Sequence, residues 1–186
     1  MEVFEQDKTF SKNDSVKKGE YENCIFQGYD FSDGDLSSYQ FTDCVFYHCN
    51  FSLAVLNLTA FREVKFISCK MLGLRFETCH TFGLSFSFEN CLLNHSSFFQ
   101  MKIRKTVFMD SQLEEVYFAE ADLTASVFEN CNLIKTVFDR TQLEKVDFRT
   151  SYNYSIDPEN NRIKKAKFSV SGTSGLLDKY DVDIEE

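Results

Sequence analysis

An all-β solenoid, a chain wound into a square coil of short strands, is the fold class this sequence predicts. Three observations carry it. A large apolar residue recurs at every fifth position, a smaller residue stands two places before it, and chain breakers are scarce, with one proline and seven glycines in 186 residues. In FENCNLIKTVFDRTQLEKVDF, Phe128, Leu133, Phe138, Leu143 and Phe148 keep the spacing. An α-helix turns every 3.6 residues, so a five-residue step would spread these side chains around its axis. A straight strand fails too, because residues five apart face opposite ways. A corner after every fifth residue removes both objections. Four sides then close a coil of roughly 20 residues, a period at which solenoids are expected.

Each part of the chain follows from that rule. One run of centres extends from Val16 through Tyr21, Phe26, Phe31 and Leu36 to Met71 and Phe76. A second extends from Phe88 to Phe148, and together the runs hold fifteen of the 21 Phe. Between them the phase slips by two residues around HTFGLSF, where Thr81 reads as a weak extra centre. The column two places earlier must also point inward. It is mostly small, as a crowded interior requires; Tyr29, Tyr39, Phe86 and Met101 are the exceptions and suggest local widening. Residues one coil apart should stack about 4.8 Å apart. Phe88, Phe108, Phe128 and Phe148 are therefore the expected structural core. One coil cannot enclose its own centres, so only the stack is stable.

Seven cysteines raise the question of disulfides or zinc. Cys24, Cys44, Cys49, Cys69, Cys91 and Cys131 fall in the small inward column, and Cys79 joins them if Thr81 counts as a centre. All seven read as small buried hydrophobes, although Cys24 with Cys44, and Cys49 with Cys69, stack within reach of a bond. His48, His80 and His95 have no paired spacing, so no metal site is expected. The Ser and Thr of the inward column lack a base, and no Gly-rich phosphate loop occurs. No catalytic residue or cofactor is expected, and the chain reads as non-enzymatic.

The outer surface remains. Net charge is −9, which disfavours direct binding to nucleic acid and suits a basic partner. From Gly19 to Phe61 there is no Lys or Arg, while Glu20, Glu22, Asp30, Asp33, Asp35 and Asp43 supply negative charge. Over about two coils this approaches one charge per ~1.7 Å, the density of duplex DNA. These six residues are the candidate partner-binding face, although any solenoid also needs a soluble outside. At the other end, Leu176, Leu177 and Tyr180 fit one face of a short α-helix, and Val182 and Ile184 alternate like an edge strand. An open end would expose Phe168 and unpaired backbone, so this segment should cap it. MEVFEQDKTF has no basic stretch followed by an apolar run, so no secretory signal is expected. No window approaches a membrane span either, and the cytoplasm is the expected compartment.

CNLIKTVFDR, ADLTASVFEN and CVFYHCNF resemble pentapeptide repeats, whose unit is small, polar, large apolar and two variable residues. The resemblance covers about residues 16–168 and implies a right-handed quadrilateral β-helix. The ending SYNYSIDPENNRIKKAKFSVSGTSGLLDKYDVDIEE is similar to the subgroup that includes the Qnr quinolone-resistance proteins and a gyrase-directed microcin immunity protein. There an Asp-Pro turn, here Asp157 and Pro158, precedes a final coil with Ala166 and Phe168, and a short helix follows. The division implied is an N-terminal cap over 1–15, the β-helix over 16–168 with its slip near 78–86, and a capping and dimerisation segment over 169–186. The resemblance further implies a homodimer joined end to end through Phe168, Leu176, Leu177, Tyr180 and Ile184. It implies DNA gyrase or topoisomerase IV as partner, bound by an acidic rod of DNA width that modulates the enzyme or protects it from poisons. A two-residue slip leaves no room for the long loops of the Qnr proteins, so the loopless immunity protein is the nearer analogue. The alternative is a protein-interaction scaffold for another partner.

Overall fold

The computed structural model describes residues 3–185. Its chain turns a corner after each five residues, and the corner residue is the second after each centre. Asn23, Asp33, Asp43, Glu63, Asn90, Asp110 and Asn130 are among those with φ near +50°. Left-handed backbone costs a Cβ-bearing residue energy, least for Asn and Asp, whose short polar side chains bond locally. Polar residues and Gly28 and Gly73 accordingly fill most corners.

Four sides result. Side 1 is centred on Tyr21, Phe41, Phe61, Ile103, Leu123, Leu143 and Ile163, and side 2 on Phe26, Phe46, Phe66, Phe88, Phe108, Phe128, Phe148 and Phe168. Side 3 follows Phe31, Phe51, Met71, Leu93, Leu113 and Leu133, and side 4 Leu36, Leu56, Phe76, Phe98, Phe118 and Phe138. The strands of side 1, Val3–Gln6, Gly19–Glu22, Gln40–Thr42 and Ala60–Arg62, form a parallel sheet. Side 2 forms a second parallel sheet running from Thr9–Ser11 to Val127–Glu129. Single parallel bridges continue the ladder elsewhere, as in Asn50 to Lys70 to Leu92 on side 3.

Inside, the expected ladder is present: Phe108 stacks on Phe88 at 5.1 Å and on Phe128 at 4.7 Å, and Phe128 on Phe148 at 5.0 Å. Rings on opposite sides meet edge to face across the shaft, as Phe108 does with Phe118 at 5.8 Å. Both geometries suit the ring quadrupole. The inward small column also bonds. Thr59 donates to Leu36 C=O at 2.8 Å, Thr141 to Phe118 C=O at 2.9 Å and Ser151 to Phe128 C=O at 2.8 Å. Each hydroxyl thus satisfies a carbonyl of the preceding coil that would otherwise lie buried with one fewer partner.

Three expectations are corrected. Thr81 is exposed and no centre; Thr81–Leu84 is instead a turn, with Leu84 N–H donating to Thr81 C=O at 3.4 Å and Gly83 at φ +71°. Pairing across it is offset by 22 residues, Phe66 with Phe88 and Arg75 with Ser97, so the two extra residues sit in side 1. At this level side 1 has only the half-buried Leu84 against the core in place of a fully buried centre, and the large inward Phe86 and Met101, both buried, stand beside it. Second, Tyr29 and Tyr39 do not mark widening of the shaft. They are half-buried and lie over their own centres, 4.8 Å from Phe31 and 5.9 Å from Phe41. Third, the C-terminal helix is not α. Ser171–Leu176 and Asp178–Tyr180 are 3-10 helices. SGTSGL contains two glycines, which are poor α-formers. Thr173 also turns its hydroxyl onto Val170 C=O at 2.6 Å, a local bond that competes with a regular helix.

At the N-terminal end, residues 3–15 contribute parallel strands, yet their offset is 16 residues: Phe10 stacks on Phe26 at 5.0 Å and Val3 pairs with Gly19. This opening coil closes the shaft above Tyr21.

Candidate functional site

All seven cysteines are buried free thiols, including the stacked pairs Cys24–Cys44 and Cys49–Cys69. Burial pushes the thiols of Cys44 and Cys131 up to about 12. For these two the nucleophilic thiolate is thus scarce at neutral pH. We expect a thiol reagent such as Ellman's to label the native protein ~1000-fold more slowly than the unfolded one, because reaction waits on opening of the coil. Rapid native labelling of several thiols would contradict this packing. Among the described residues no group of three His, Cys, Asp or Glu side chains is arranged to hold a metal.

The six candidate acids are all exposed. The coil does not gather them on one face. Glu20 and Glu22 flank Tyr21 on side 1, where they pair in register with Gln40 and Thr42, and Asp43 is the following corner. Asp30 lies on side 3, opposite; Asp33 is the corner leading to side 4, and Asp35 lies on side 4. The predicted face is therefore a belt with two clusters.

What unites the belt is the lack of counter-charge. Among the described residues none of the six makes an ion pair within 4.0 Å, whereas acids further along do. Glu115 meets Lys135 at 3.1 Å, Glu120 meets Arg140 at 2.6 Å and Asp147 meets Lys167 at 3.4 Å, each one coil away. The Asp30 carboxylate accepts the hydroxyl of Ser32 at 2.7 Å and its N–H at 3.1 Å, which holds its pKa below the usual carboxylate range. The Ser37 N–H donates to the Asp35 carboxylate at 2.9 Å, and Ser37 lowers the pKa of Asp35 likewise. These two charges persist well into acid.

Beside the second cluster lies a feature the sequence reading did not single out. Leu53 and Leu58 are the two large apolar side chains among the left-handed corners, and they are 61% and 62% exposed. Val55, paired with Asp35, is 43% exposed between them. A Cβ on Gly73 would stand 2.9 Å from Leu53 Cδ2, so glycine leaves Leu53 room on the next coil. A bulky residue in left-handed backbone is strained, and leaving it in water gains nothing in return. An apolar bar bordered by Asp33 and Asp35 is the form of an interface core with a charged rim. The signal was available in sequence: both leucines break the polar corner rule.

At the far end Phe168 stacks on Phe148 at 5.5 Å and is half-buried. Leu176 packs against the core end. Gly172 and Gly175 let the cap settle on Tyr154, where added Cβ atoms would fall 2.0 and 2.1 Å from Tyr154 atoms. Leu177, Tyr180, Val182 and Ile184 are exposed, and the Tyr180 hydroxyl donates to Glu159 at 2.9 Å. The cap thus uses part of its apolar surface inward and leaves part outward.

A protein-family model described as a pentapeptide repeat region matches residues 85–155. The same inward pairs and corners also recur before that segment, from Tyr21 onward. Among solved structures, a trypsin-treated form of QnrB1, a plasmid-mediated fluoroquinolone resistance protein, superposes with a TM-score of 0.63 at 16% identity, covering 100% of each chain. Full-length QnrB1 gives 0.54 at 18% identity, covering 98% of this chain and 99% of the other. At such identities the likeness concerns the fold, a right-handed quadrilateral β-helix. No curated protein matches the sequence.

Proposed function

We propose that this pentapeptide repeat chain is a non-enzymatic DNA mimic that binds a type II topoisomerase, DNA gyrase or topoisomerase IV, and modulates it or protects it from poisons. The observation that carries the reading is the belt of unpaired acids on a rod of β-helix width. Side 4 and its edge with side 3 are the contact, with Asp30, Asp33 and Asp35 for basic side chains and Leu53, Val55 and Leu58, which run across side 4, as apolar anchors. The exposed Leu177, Tyr180 and Ile184 join two rods end to end, so that the dimer presents two such edges. The QnrB1 fold supports this reading, as does the match to a pentapeptide repeat region.

The test is a supercoiling assay with purified gyrase, with and without a fluoroquinolone. We expect altered supercoiling or altered drug sensitivity. Binding followed separately should weaken steeply between about 0.1 M and 1 M salt, as the screening length falls from ~10 Å to ~3 Å. Unchanged activity and drug response at excess protein would remove the topoisomerase reading in favour of a scaffold for another partner.

A further inference from the structure

Side 1 changes sign along its length. Its first levels carry Glu20, Glu22 and Asp43, and its last carry Lys145, Arg162 and Lys164, all exposed and none in an ion pair among the described residues. Between the two halves stands the turn Thr81–Leu84, with Phe82 at its tip, 77% exposed. A Cβ on Gly83 would stand 3.4 Å from the Arg62 side chain, which places the turn on side 1. Immediately after it the ladder is interrupted. A groove of about 490 Å³, lined by Leu84, Phe86, Lys102 and Arg104 among others, separates the turn from the next level.

We propose that a second copy of this chain docks here, side 1 against side 1, with the rods antiparallel. The levels of side 1 are centred on Tyr21, Phe41, Phe61, the turn, Ile103, Leu123, Leu143 and Ile163. Let a two-fold axis run along the strand direction between the turn and Ile103. It reverses the rod but leaves each residue's lateral position within its level unchanged. Glu20, before its centre, then faces Arg162, also before its centre. Glu22 faces Lys164, each just after a centre. Asp43 faces Lys145, both corners in left-handed backbone. The chain of bridges Lys102 to Asp122 to Gln142 to Arg162 fixes the lateral position of Arg162, and the Glu20–Gln40 pairing fixes that of Glu20. Phe82 meets the groove beside Lys102 of the other copy, and the symmetry repeats every contact.

No level opposes like charges under this operation. Arg62 faces Thr124, Glu63 faces Ala125, and Glu144 faces Thr42. Asp122 faces Ala60 and already holds Arg104 at 2.6 Å. A self-complementary patch of this kind is what an isologous interface requires. Nucleic acid fits the basic half less well, because a duplex lying along side 1 would run onto Glu20, Glu22 and Asp43 and into the field of an acidic protein. One side of the rod is narrow, so the association is weak and salt-dependent, roughly micromolar.

Zero-length carbodiimide cross-linking of the full chain tests this directly. Within one chain Glu22 and Lys164 are seven levels apart, about 34 Å at the strand spacing. A cross-link between them therefore joins two copies, and an end-to-end dimer through the cap does not produce it. We expect Glu22–Lys164 and Asp43–Lys145 cross-links at low salt, lost at high salt. Asp43→Lys, which sets like charges together twice per dimer, should lower the Glu22–Lys164 yield about tenfold. Adding Lys145→Asp in the same chain should restore it, which a folding defect would not allow. Absence of both cross-links at about 100 µM protein, well above the roughly micromolar association expected of so small a patch, overturns the proposal. So does failure of the double swap to rescue.

Discussion

Replacing Phe108 by alanine destabilises the rod by about 4 kcal/mol, in the range of other buried Phe truncations. Phe108 is fully buried. It contacts rings on two axes: Phe88 and Phe128 stack above and below it, and Phe98 and Phe118 meet it edge on at 6.1 and 5.8 Å. Alanine leaves a ring-sized void between coils that strand hydrogen bonds hold near ~4.8 Å apart, so the shaft cannot collapse to fill it. For a chain of this length the loss corresponds to a fall in Tm of roughly 10 °C. Phe108→Leu keeps most of the volume and should cost under about 1.5 kcal/mol. Denaturant titration of both variants checks the pair. Equal, small losses would mean that the centres do not share one packed column. A solenoid couples mainly nearest neighbours, so a broadened transition in Phe108→Ala would show the two halves separating at that coil.

The second large effect concerns the partner. Reversing Asp33 and Asp35 to lysine lowers affinity for gyrase by about a hundredfold, since each change removes an attraction and adds a repulsion at a basic surface. Glu20→Lys with Glu22→Lys, on side 1 and away from that edge, changes it by less than about threefold, because solvent and salt screen charges around the rod. Surface plasmon resonance at fixed salt, with circular dichroism to verify folding, measures both. If the two pairs weaken binding equally, the belt acts through total charge and the edge between sides 3 and 4 has no special role. Leu53→Ser with Leu58→Ser extends the test to the apolar bar and should also raise thermal stability slightly, since serine is less strained and better solvated there.

The centres, the small column and the corners were legible in the residues themselves. The reason is physical: a five-residue side assigns each residue type a fixed environment, so Phe108 and Cys131 announce their burial by phase alone. The cap residues were legible as a cap, but the helix type was decided by Gly172, Gly175 and local hydroxyl bonds that a pattern of apolar positions does not register.

Side membership was another matter. It depends on recurrence at 20 residues, and the turn at Thr81–Leu84 lengthens one coil to 22, which shifts every later residue relative to the earlier ones. Acids and bases that alternate along the chain after Lys102 are thereby sorted in space. Lys145 and Lys164 fall on the same side as Glu22, and Asp33 falls away from it. Composition and order alone determined a square, Phe-filled shaft. Tertiary stacking alone decided which charges share a surface, because neighbours across coils are set by hydrogen-bond register and not by distance along the chain.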